Sequence, residues 1–112
     1  METVGLGDLC DVLRSKNAKC FLITLDMIFK DKEVYNAIKT KNLVNKKLIA
    51  EKYNISEKDI PIVEFFDDVK AIKVTLKRSV SSGSPGDSDV LGMNQEAPLL
   101  YISFRKDLLR LD

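Results

Sequence analysis

The clearest pattern in the chain is an alternation. Phe21, Ile23, Leu25, Met27 and Phe29 fall on one side of an extended backbone, and Leu22, Thr24, Asp26 and Ile28 on the other. Successive strand residues point to opposite faces, so the pattern predicts an interior strand over Phe21–Phe29. One face is wholly apolar, and the other carries Thr24 and Asp26. Lys70–Arg78 alternates more evenly, with Ile72, Val74 and Leu76 against Lys73, Thr75 and Lys77. That is the pattern of a half-exposed antiparallel strand. Ile62–Phe66 predicts a short strand that pairs with it through a turn at Asp67-Asp68. Pro98–Phe104 predicts a last strand, with Leu100, Ile102 and Phe104 facing inward. Leu9–Leu13 fits either a first strand or one helical turn, and the polar run Arg14-Ser15-Lys16-Asn17-Ala18 breaks it.

Two helices fit between the strands. Asp31 is a good N-cap for a helix over Lys32–Lys41 that turns Val34, Tyr35 and Ile38 inward. Asn42 can end that helix or cap the next, over Leu43–Tyr53, with Val44, Leu48 and Ile49 inward. Ser56-x-x-Asp59 resembles another cap, but Pro61 stops any long helix there. The order β-β-α-α-β-β-loop-β predicts an α+β two-layer sandwich in one domain, residues 1–112. Its sheet is mostly antiparallel with helices on one face, in a ferredoxin-like arrangement or a variant of it. Leu108, Leu109 and Leu111 in the tail are candidate docking contacts.

Composition narrows the function. The 112 residues include 18 Lys+Arg against 17 Asp+Glu, and 45% are apolar. That is enough for a real core and too balanced in charge for a disordered chain. A net charge of +1 argues against a nucleic-acid binder that works by net charge alone. The exposed positions of Lys70–Arg78 also lack the aromatic residues on which bases stack. The chain contains no His, which excludes Ser-His-Asp and Cys-His catalysis. Cys10 and Cys20 form no C-x-x-C pair and read as buried thiols of a reducing compartment. The start of the chain lacks the pattern of a secretory signal, and no apolar run is long enough to span a bilayer. A cytoplasmic location is expected, with no membrane contact.

Three polar groups are candidate chemistry. Arg14, Ser15, Lys16 and Asn17 bring two cations and two hydrogen-bonding side chains together, suited to a carboxylate or phosphate. The stretch from Ser79 to Asp89 is rich in Ser, Gly, Pro and Asp, and its glycines, Gly86 among them, permit an anion-binding nest of backbone N–H groups. Asp87 and Asp89 are oxygen ligands, but their spacing fits no EF-hand, and no metal or cofactor is expected. Asn94, Gln95 and Glu96 precede Pro98 and offer both donors and acceptors. On the long strand, Asp26 among apolar neighbours needs a partner, and Arg14 is the nearest cation able to bond it bidentately.

Taken in order, Arg14-Ser15-Lys16-Asn17-Ala18, Leu22-x-Thr24-Leu25-Asp26, Gly86-Asp87-x-Asp89-Val90-x-Gly92 and Gln95-x-Ala97-Pro98-Leu99-Leu100 resemble a bacterial family of small proteins. That family is related to the C-terminal domain of AtuA, the acyclic-terpene-utilisation protein, where Arg-Ser-Gly-Asp-Lys-Gly takes the place of Arg-Ser-Lys-Asn. The chain departs from the family at Lys19, where Gly is usual, and at Glu96, where His is frequent. The resemblance implies a ferredoxin-like fold. It also implies a small accessory subunit or binding domain that acts with a larger AtuA-like protein on a small carboxylic acid or acyl-CoA. The ligand residues would be Arg14, Ser15, Lys16, Asn17, Asp26, Gly86, Asp87, Asp89 and Gln95. The alternative is a stand-alone lyase or hydratase that uses Asp and Lys side chains as acid and base. An uncovered sheet face or edge and an apolar tail also suggest a homo-oligomer.

Overall fold

A computed structural model describes residues 2–19, 21–77 and 97–109. Strand β1 (Thr3–Gly5) leads into a single helical turn, α1 (Leu6–Leu9). Strands β2 (Cys10–Lys19) and β3 (Leu22–Phe29) follow as an antiparallel hairpin. Helices α2 (Lys32–Thr40) and α3 (Lys46–Tyr53) carry the chain to β4 (Ile62–Phe66), which forms a second hairpin with β5 (Ala71–Lys77). β5 pairs with β3, so the main sheet is antiparallel throughout in the order β2-β3-β5-β4. Strand β6 (Ser103–Arg105) pairs with β1 in a separate two-stranded sheet. The result is an α+β two-layer sandwich, a variant of the ferredoxin-like plan.

The local signals explain the helix ends. The Asp31 side chain accepts from the Glu33 N–H at 2.8 Å and starts α2. Asn42, at φ 53°, turns the chain out of that helix. Asn45 is the cap of α3, accepting from the Leu48 N–H at 2.9 Å. Helix α3 therefore starts at Lys46 rather than at Leu43, because Asn45 offers the capping oxygen three residues before Leu48.

The core forms between the helices and one face of the sheet. Ile23, Leu25, Met27 and Phe29 of β3 and Ile72, Val74 and Leu76 of β5 are buried with Val34, Tyr35, Ile38 and Ile49. The Phe29 and Tyr35 rings pack 6.1 Å apart in a tilted arrangement. The other face of the main sheet carries the alternate residues. Among the described residues, no helix is long and apolar enough to cross a membrane.

Three expectations are corrected. Arg14–Ala18 does not break the first strand: β2 runs on to Lys19, because a strand at the sheet edge needs little apolar surface to be held by its backbone ladder. Pro98–Phe104 is not one strand. A 3-10 turn covers Ala97–Tyr101, so Leu99 is buried while Leu100 is exposed, and only Ser103–Arg105 is extended. Phe21 lies in the hairpin turn and is exposed instead of joining the apolar face. In the tail, Leu109 is buried in the core, and Leu111 lies outside the described residues.

Leu25 has no exposed surface at the centre of the sheet. Leu25→Ala should destabilise the protein by about 2–5 kcal/mol. Denaturant titration checks this, and a loss below about 1 kcal/mol would contradict the core assignment.

Candidate functional site

Strand pairing sets the helix-free face out in rows. Arg14 stands opposite Asp26, Asp26 opposite Lys73, and Lys73 opposite Glu64. These four residues run across β2, β3, β5 and β4 with charge alternating plus, minus, plus, minus. On one side lies the row Lys16, Thr24, Thr75, Ile62, and on the other Val12, Ile28, Ala71, Phe66. Oppositely charged side chains directly across a strand pair attract, typically by about 0.2–1 kcal/mol per pair.

Among the described residues, Arg14 and Asp26 form an ion pair on this face. The Arg14 Nε donates to Asp26 Oδ2 at 2.9 Å. The two side chains differ in exposure, 58% for Arg14 and 14% for Asp26. Asp26 is thus largely withdrawn from water, and Arg14 supplies the charge that makes this tolerable. Beside them Thr24 is only 4% exposed, and its Oγ1 has no hydrogen-bond partner among the described residues. Such a buried hydroxyl costs about 1–3 kcal/mol unless something satisfies it.

The ligand residues expected from sequence separate along the pleat. Arg14, Lys16 and Asp26 share the helix-free face. Ser15 and Asn17 stand opposite Leu25 and Ile23, so they belong to the helix side. Gly86, Asp87, Asp89 and Gln95 lie outside the described residues. Sequence reasoning missed Lys73 and Glu64 as part of the same constellation. The alternation of Lys70–Arg78 gives the face of Lys73, but only the pairing of β3 with β5 and β5 with β4 gives the row and brings in Glu64. Among the described residues, one shallow depression lies away from this face, lined by Glu33, Asn36, Ala37, Thr40 and Lys41, and another lies beside its Phe66 corner, lined by Phe66, Asp67, Asp68 and Val69.

A second polar cluster has a structural task. Asp67 Oδ1 accepts from the Tyr35 hydroxyl at 2.7 Å and from Lys39 Nζ at 2.8 Å. This ties the β4–β5 hairpin to α2. The Lys39 bond, then the Tyr35 bond, holds the Asp67 carboxyl below its usual range. Burial, reinforced by Asp67, pushes the Tyr35 phenol well above its ordinary value. Burial also pushes the Cys10 thiol up to about 12; the Asp11 charge adds to this and Lys30 opposes it.

Cys10 should therefore alkylate slowly in the native protein and rapidly in denaturant, measured peptide by peptide by mass spectrometry. Equal rates would contradict its burial. For Asp67 the folded value lies below the unfolded one, so its contribution is full above the unfolded pKa of about 4 and fades as pH falls through the native value. Asp67→Asn should be less stable than the wild type at neutral pH, and the gap should close in acid. A gap constant with pH in denaturant titrations would show that the carboxylate's charge is not what holds the hairpin.

No curated protein and no solved structure matches the chain. The model of one family does match, over residues 6–103, which takes in every described strand of the main sheet and both longer helices. The chain therefore belongs to the family described as Domain of unknown function (DUF4387).

Proposed function

We propose that this protein is a small accessory subunit, a binding module that works through the helix-free face of its sheet. The row Arg14, Asp26, Lys73, Glu64 carries this reading. Four charged side chains alternate in sign across a face that also holds apolar Ile28, Ala71 and Phe66. Such a mixture fits recognition of another macromolecule, since alternating charge sets register and apolar neighbours add area. The assembly partner is a larger AtuA-like protein, in keeping with the sequence motifs, and the setting is the cytoplasm. The small carboxylic acid or acyl-CoA on which the pair acts meets Arg14 and Lys16. These two cations stand on the edge strand β2, where a ligand can reach them from the margin of the face. Arg14 suits a carboxylate because its planar guanidinium offers paired donors, and Asp26 holds it in place through Nε.

Co-expression with the larger protein tests the proposal. The wild-type chain should co-purify with it, and Arg14→Glu should lose the partner while keeping the far-ultraviolet circular dichroism of the wild type. Acid turnover should require both proteins. Turnover by the purified small chain alone would replace the accessory reading with that of a stand-alone lyase or hydratase. Undiminished capture by Arg14→Glu would remove the face from the account.

A further inference from the structure

The charge row has a symmetry property that points to a particular occupant for the face. Read from β2 to β4 its signs are plus, minus, plus, minus, and read backwards they are minus, plus, minus, plus. The row is therefore its own complement on reversal. Reversal is what a two-fold axis parallel to the strands, lying between β3 and β5, produces when two copies stack face to face. We infer that the helix-free face pairs with a second copy of this chain in that arrangement. The inference rests on the reading that this face is the working surface, and it names the occupant present when the larger protein is absent.

The pairing follows residue by residue. Arg14 meets the second copy's Glu64, and Asp26 meets the second copy's Lys73. In the neighbouring row Thr24 meets the second copy's Thr75. In the third row Ile28 meets Ala71 and Val12 meets Phe66, so apolar groups cover one another. Phe66, exposed at 42% in the single chain, is covered by the second copy's Val12, while Ile62, exposed at 44%, faces the aliphatic stem of the second copy's Lys16. Aligned sheets of this kind pack about 10 Å apart with strands within about 30° of each other, so the rows stay opposed near the axis.

The other two-fold axis in the plane of the face runs across the strands. It sets each charge of the row against its own copy, Arg14 on Arg14 and Asp26 on Asp26. It also sets Thr24 against Ile28. Like charges so placed across an interface repel strongly. The same residues that favour the first arrangement thus oppose the second, and the interface is closed and self-limiting, as a two-fold dimer requires.

Sedimentation of the purified full chain tests this with two single reversals at exposed or half-exposed edge-strand positions. Wild type should be a dimer at micromolar concentration. Arg14→Glu places Glu against Glu64, and Glu64→Arg places Arg against Arg14. Each alone should weaken self-association at least roughly tenfold. An equimolar mixture of the two should recover a dimer, because in the mixed pair one contact is Glu with Arg and the other remains Arg with Glu. Circular dichroism of each variant reports the fold, and recovery in the mixture would itself show that both are folded. Monomeric wild type, or a mixture no tighter than either variant, overturns the dimer. Co-purification with the larger protein is scored separately. A monomeric wild type that still captures the larger protein overturns this inference alone, whereas a wild-type dimer that never captures it overturns the accessory reading alone.

Discussion

The period of two in β3 is the constraint on which the rest of the structure depends. Ile23, Leu25, Met27 and Phe29 are buried beneath the helices. Every other residue of the strand is thereby committed to the opposite face. A slip of one residue in pairing would turn Thr24, Asp26 and Ile28 into the core and expose Leu25 and Met27. The cost of burying a carboxylate against the helices forbids this, so the register is fixed from both sides of the sheet. Because β2 and β5 pair directly with β3, the same register places Arg14 and Lys73 on either side of Asp26.

The helix-free face is therefore a by-product of core packing that carries information of its own. The core decides which residues reach that face, and sequence decides what they are. Asp26 at the middle of a four-stranded sheet needs opposite charge nearby, and it has Arg14 on one neighbour and Lys73 on the other. Lys73 in turn has Glu64 across from it on β4. On the opposite side of the sheet the chain uses charge differently. The Tyr35–Asp67–Lys39 cluster staples the second hairpin to α2 and has no continuation into a row.

Much of this is legible in the sequence. The alternations in Phe21–Phe29 and Lys70–Arg78 gave two of the four strands of the main sheet and their faces, and Asp31 gave the start of α2. The Arg14–Asp26 pair was legible too, because a carboxylate in an apolar strand calls for a nearby cation. Other features were hidden for identifiable reasons. The second half of β2 is polar because an edge strand can face water and still be held by its hydrogen-bonded neighbour. Thr3–Gly5 is too short to announce itself, and its pairing with Ser103–Arg105 joins the two ends of the chain. Pro98 suits the start of a strand, but its fixed φ also suits the 3-10 turn that the chain adopts there. Lys73 reads singly as a solvated charge, and its place in the row with Glu64 emerges only from strand order.

If the helix-free face is the working surface, it is covered when the protein is at work. Amine labelling with residue-resolved mass spectrometry addresses this most directly, because Lys73 lies in the middle of that face while Lys47 and Lys58 are exposed elsewhere. The reaction is run on dilute chain, on concentrated chain and on chain bound to the larger protein. Lys73 labelling should fall in at least one assembled state while Lys47 and Lys58 are unchanged. Equal labelling of Lys73 in all three would contradict it.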